Sequence, residues 1–362
     1  MKKDLQIVER RKLLKQEIND VAENTMSAQI LKRAGSFIQF VLRQPSQTPW
    51  YISAVFLEVL AITPQAIITL ISKDPNQLIG NGLFWSAAAL LTMPVIPLSY
   101  ITSRYIFINI NNHVIAAIQE KQDLDNLRSF IFKVTGTRKT YFRALIISLI
   151  WIIIAIPVFS IINNGFIGAS YSIAVWMFGF IGIGIGAHYL GWLMRFPIYV
   201  KDFHFNLYQL DPSKSEIIFH LSSILSRPFW ITAIYLAVVT FVASVFNIFN
   251  WVILIIIMIF WVPLFIQFIN SQSAINNIVI TEKWKTLNEL QEQIHKYKNN
   301  INSDSSENFD TINNLLDLHE KVFNSSNIKL VVSSTMGFIN QLLLPLIAFI
   351  ISNYESVLAF FR

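Results

Sequence analysis

Ala144-Leu145-Ile146-Ile147-Ser148-Leu149-Ile150-Trp151-Ile152-Ile153-Ile154-Ala155-Ile156-Pro157-Val158-Phe159-Ser160-Ile161-Ile162 is followed by Asn163-Asn164-Gly165 and by a second apolar run, Tyr171 to Leu193. Neither run contains Asp, Glu, Lys or Arg. At about 1.5 Å rise per residue, each covers roughly the 30 Å hydrocarbon core of a bilayer. In lipid only a helix or a closed barrel satisfies its own backbone. The spacing therefore predicts a membrane-spanning helical hairpin, and the other segments are placed around it.

Composition agrees. Of 362 residues, 54% are hydrophobic and only 14% charged, against about 25% charged in a soluble domain. Mean hydropathy is +0.50. There are 29 Phe and 9 Trp, which suit lipid contact and interfacial belts. Cys is absent, which excludes disulfides, thiolate nucleophiles and Cys-ligated metals. Charged residues near Met1 are followed by no apolar core for about fifty residues, so no cleavable signal peptide is expected.

The chain divides on this basis. Residues 1–50 are basic and amphipathic. Ile7, Leu14, Ile18 and Val21 share one side, with Arg11 interrupting the seam, and residues 27–43 repeat the pattern. The latter helix either lies in the membrane interface or packs on a cytosolic domain. Residues 51–103 form a first hairpin, 144–193 the second and 229–270 the third. The forty apolar residues from Phe229 to Ile269 would make one helix about 60 Å long, so they must turn, and Asn247-Ile248-Phe249-Asn250 is the polar break. Between the hairpins lie polar helical segments, 104–143 and 194–228. Residues 271–328 are expected to fold as a helical hairpin. Residues 329–362 hold a seventh span or a re-entrant segment and a tail. The expected class is all-α: a polytopic helical membrane protein with six to seven transmembrane helices and cytoplasmic amphipathic helices.

Cations set the orientation. Residues 1–50 carry nine Lys or Arg, 104–143 seven, 194–228 four and 271–329 six, together 26 of the 28. By the positive-inside rule these segments, including the N-terminus, face the cytoplasm of a multi-pass cell (inner) membrane protein. The net charge of +6 is read as topology, and no nucleic-acid partner is expected. Expected partners are the lipid bilayer, further copies of the chain in a homo-oligomer, and a soluble cytoplasmic protein.

Within 194–228, Ser213 and Glu216 have the Ser-x-x-Glu spacing of a capping box. The run Leu207-Tyr208-Gln209-Leu210-Asp211-Pro212-Ser213-Lys214-Ser215-Glu216-Ile217 resembles a segment that recurs in uncharacterised bacterial polytopic membrane proteins. That resemblance implies a membrane location and no particular activity.

Few residues suggest chemistry. Glu58 is the one obvious acid within a span, and such a carboxylate is costly. It either faces a hydrated cavity, with Gln65 on the same face, or snorkels or is hydrogen-bonded in neutral form. Asn340 and Gln341 lie in the last apolar run and either line a pore or bond between helices. Gly182 and Gly186 make a small-xxx-small packing face. His188, near the cytoplasmic end of its span, is either structural or part of a proton relay. The six His show no metal-ligand spacing, and no nucleophile elbow or phosphate-binding loop is present. Neither enzymatic activity nor a cofactor is expected. Two functions remain: a channel-like or membrane-permeabilising component controlled from the cytoplasmic side, or a non-conducting anchor that recruits a soluble partner. A secondary transporter is a third reading, weakened by the single intramembrane acid.

Overall fold

The computed structural model describes residues 2–43, 47–71, 93–135, 137–162, 166–245, 251–299 and 306–325. Every element among them is helical, as the all-α expectation requires. In chain order they are α1 (Lys2–Glu23), α2 (Met26–Leu42), α3 (Trp50–Ile71), α4 (Val95–Asn109), α5 (Lys121–Thr135), α6 (Thr137–Ile162), α7 (Phe166–Val200), α8 (Glu216–Val245), α9 (Trp251–Asn299) and α10 (Ser306–Asn324). A π-helical turn, Ile110–Val114, and an α-turn, Ile115–Ala117, extend α4. The one isolated β-bridge among the described residues joins Ile118 to Phe205. Residues 329–362, expected to hold a seventh span or a re-entrant segment and containing Asn340 and Gln341, lie outside the described residues.

The polar segments do not stand apart from one another. Leu14 and Ile18 of α1, Ile106 and Ile110 at the end of α4, and Leu124 and Leu127 of α5 are buried in one core. Phe196 of α7, Ile218 and Leu221 of α8, and Ile278 of α9 complete it. Each such side chain contributes about 1.5–3 kcal/mol by leaving water. The base of the molecule is therefore a packed helical unit. A second core joins Leu190 of α7, Phe229 and Ala233 of α8, and Trp261 and Leu264 of α9.

Arg11, which breaks the apolar seam of α1, has a partner that explains it. Its Nη2 donates to the Ile118 carbonyl at 2.6 Å, where the helix turns extended and leaves an orphan acceptor. Arg128 of α5 grips Glu17 of α1 through two bonds, 2.6 and 2.5 Å, and Arg10 pairs with Asp125. These pairs are partly exposed, so they fix register more than they add stability.

Thr25 caps α2 by accepting from the Ala28 N–H at 3.3 Å. The helix ends at Arg43, which takes the left-handed conformation at φ 51°. Leu31, Ala34 and Ile38 of α2 are buried, so this helix packs on the fold. Yet Phe40 stays 82% exposed and Val41 and Leu42 are also open, leaving an apolar edge.

The helices run through the expected segment boundaries. α9 continues unbroken across residues 270 and 271, and its 49 residues make it about 74 Å long. Its polar half pairs with α10. There Lys283, itself buried, donates to the carbonyls of Phe323 and Ser325, both at 2.8 Å. The ammonium thus satisfies acceptors at the C-terminal end of α10, where a cation also suits the helix dipole. Lys283→Met should leave these carbonyls short of a donor and cost about 1–3 kcal/mol. Limited proteolysis reads this directly: cleavage near residues 306–325 is expected to accelerate while the rest of the chain stays protected.

The capping box is corrected. α8 begins at Glu216, and residues 212–214 form a 3₁₀ turn. The Ser213 hydroxyl donates to Asp211 Oδ1 at 2.6 Å and is spent inside that turn. Pro212 fixes the turn, which moves the helix start two residues beyond the one the spacing predicted. Ser215 then precedes the helix, and its Oγ accepts from the Tyr208 N–H at 2.8 Å.

Candidate functional sites

Four places among the described residues gather polar side chains. The first is on α3. Ser53 and Ala61 are buried on its inner face, while Val55 and Val59 are more than half exposed on the other. Glu58 lies between these faces. Its Oε2 is buried and has no hydrogen-bond partner among the described residues. The side chain as a whole is half-buried. A buried carboxylate oxygen without a donor is among the most costly polar arrangements in a protein. Gln65 follows on α3, its side chain outside the described residues.

The second place is a hydroxyl-lined cavity of about 30 Å³ between α2, α4, α6 and α7. Thr25, Ser27, Ser99, Ser103, Thr140 and His188 face it. Ser99 donates to the Ser27 hydroxyl at 2.8 Å across the gap. The volume holds about one water molecule. His188 borders it together with Met26, Phe107, Ile185 and Trp192, so apolar groups share its surroundings with the hydroxyls.

The glycines divide by role. Gly182 and Gly186 are both buried. A Cβ at Gly186 would stand 2.8 Å from Val95 Cγ1 of α4. Among the glycines with described surroundings, the tightest approach is at Gly184, between them. A Cβ there would overlap the Ser148 hydroxyl and stand 2.5 Å from the Ala144 carbonyl oxygen of α6. Gly186 thus meets α4 and Gly184 meets α6, and only the register of α7 against its neighbours assigns each glycine to its contact.

The third place was not legible from spacing. His113, in the π-helical turn, lies against Glu216 and His220 in the first turns of α8. The His113 and His220 rings stack at 3.5 Å between centroids and 15° between planes. Glu216 Oε1 is 3.3 Å from His220 Nε2. Burial, and secondly the neighbouring His220, hold the His113 imidazole below its ordinary pKa, with Glu216 opposing. Only Glu216-x-x-x-His220 could have been seen in the sequence; His113 is 107 residues away from His220 and is delivered by the fold.

A further His-carboxylate group, Glu120, Asp123 and His204, sits at the isolated bridge. Here Asp123 Oδ2 already accepts the His204 backbone N–H at 2.8 Å and faces its Nδ1 at 3.1 Å. With Gln119 N–H donating to the His204 carbonyl and Asn206 N–H to that of Ala117, both at 2.9 Å, this group ties the extended segment to the start of α5.

No family model, curated protein or solved structure matches the chain. Among the described residues, one helix, Glu216–Thr240, is long and apolar enough to cross a membrane by length and composition.

Proposed function

We propose that this chain is an integral membrane protein of six to seven spans, with its N-terminus and packed helical base in the cytoplasm, and that it forms a channel-like path for protons or small cations. Several features support the membrane reading. Ile146, Leu149, Ile150 and Ile153 of α6, Ile234 and Val238 of α8, and Val262, Ile266 and Ile269 of α9 are exposed. Stripes of this kind suit lipid and would be a liability in water. The uncharged stretch Ala144–Ile162 of α6 is about 29 Å long. The longer uncharged stretches of α7 and α9 exceed that.

The conduit reading is carried by Glu58. It stands about 12 Å along α3 from Trp50, a residue type that favours the interface. Its side chain is too short to return to that level, and its Oε2 is buried with no hydrogen-bond partner among the described residues. An intramembrane carboxylate in this position marks a pathway by default.

A second reading, an anchor for a soluble partner, has its own support on the base. Phe219 is 73% exposed, and Tyr208, Leu210 and Trp284 are each more than half exposed. Reconstitution separates the two. Purified protein in liposomes with an imposed pH or potassium gradient should dissipate it faster than empty vesicles. No flux from correctly oriented protein, with a soluble protein copurifying, would favour the anchor. A reporter fused at Asn164 and found in the cytosol would sink the topology behind both.

A further inference from the structure

Metal ligation by imidazole needs neutral rings held with a donor atom each toward one point. The base supplies such a point. The donor atoms of His113, Glu216 and His220 all lie within 4.8 Å of one another. They come from two elements, the π-helical turn after α4 and the start of α8. A π turn inserts one residue into a helix, disturbs its hydrogen bonding, and recurs at functional sites. Here Ile110 and Val114 are buried on its core side and Asn111-Asn112-His113 fills the interval. The insertion is what lets His113 reach α8 while both apolar neighbours stay in the core.

We propose that His113, Glu216 and His220 bind one divalent transition-metal ion of the Zn²⁺ type. Two nitrogens and one carboxylate oxygen suit Zn²⁺, Co²⁺ or Ni²⁺ rather than the all-oxygen shells of Ca²⁺ or Mg²⁺. Three protein ligands leave one position for water. Glu216 is exposed and His113 and His220 are half-buried, so the ion reaches the site from the aqueous side. The two rings lie face to face at 3.5 Å between centroids, which brings a donor atom of each beside the Glu216 carboxylate. Closing on an ion turns both rings out of the stack about their terminal torsions, which are broad for His. Metal–nitrogen distances then become about 2.0–2.1 Å. The Glu120, Asp123 and His204 group serves as the internal contrast, because its buried carboxylate is already committed to the His204 backbone.

The test uses the full chain, purified in detergent without a polyhistidine tag and titrated with Co²⁺. One Co²⁺ per chain is expected, with the visible absorption of a four-coordinate site, and Zn²⁺ should displace it. His113→Asn and His220→Asn should each weaken binding by about 100-fold or more, since even outer-shell changes cost 10–100-fold. His204→Asn should leave it unchanged. Should His113→Asn fail to fold, His220→Asn at the solvent-facing start of α8 decides alone. No saturable Co²⁺ spectrum in the unaltered protein, a spectrum that survives His220→Asn, or one removed by His204→Asn would overturn the site. None of these readouts depends on flux, so the outcome is independent of the conduit reading.

Discussion

Glu58→Gln is expected to cut proton or cation flux through reconstituted protein by roughly 100-fold, the scale of a positioned proton-transfer group. The substitution keeps the volume and shape of the side chain. What it removes is the ability to hold a negative charge or exchange a proton. Its Oε2, buried with no donor among the described residues, gains no hydrogen bond from them in the folded state. An amide is cheaper to bury than a carboxylate, so the melting temperature should stay level or rise. The two readouts therefore move in different directions. Lost flux with an unshifted or raised melting temperature supports the conduit; full flux in a folded variant ends any role for Glu58 in conduction. Glu58→Asp provides a graded control, because it retains the charge and withdraws it by one methylene.

The sequence carried the helical class because uninterrupted apolar runs of about twenty residues are longer than ordinary strands and read as helices. It also carried the apolar faces of α1 and α2, since Leu14, Ile18, Leu31 and Ile38 obey helical spacing and are buried. What periodicity did not disclose was the partner of each face. Arg11 reads as a flaw in the seam until the Ile118 carbonyl is seen opposite it. Leu124, Leu127 and Phe130 read as an isolated amphipathic stretch until the core shared with α1 and α7 is seen. Boundaries failed for a related reason. A composition shift at residue 271 marks a change of surroundings, and α9 continues through it because no Pro or Gly near that point stops the backbone. Ser213 and Glu216 had the right spacing for a cap, but the intervening turn set by Pro212 consumed the hydroxyl. The His113 cluster depends on contacts between residues more than a hundred positions apart. No local pattern encodes such a contact, and the π turn that makes it has no sequence signature.

Gly184→Ala and Gly191→Ala form the second decisive comparison, because they place the same methyl group on the same helix. At Gly184 the new Cβ would overlap the Ser148 hydroxyl and press on the Ala144 carbonyl. That carbonyl also accepts the Ser148 hydroxyl at 2.7 Å, so α6 is held at this point by its own bonding. The helices must separate, and overpacking of this kind costs about 1–3 kcal/mol. At Gly191 nothing lies within 4 Å of the new Cβ. There the change should stabilise the chain by up to about 1 kcal/mol through helix propensity. Thermal melting in detergent should thus show Gly184→Ala below the unaltered protein and Gly191→Ala at or above it. Adding Ser148→Gly to Gly184→Ala removes the hydroxyl contact and leaves the carbonyl contact, so it should recover part of the loss. Equal melting temperatures for the two alanine variants would show that α6 and α7 do not meet at Gly184, and the register of the central hairpin would have to be redrawn.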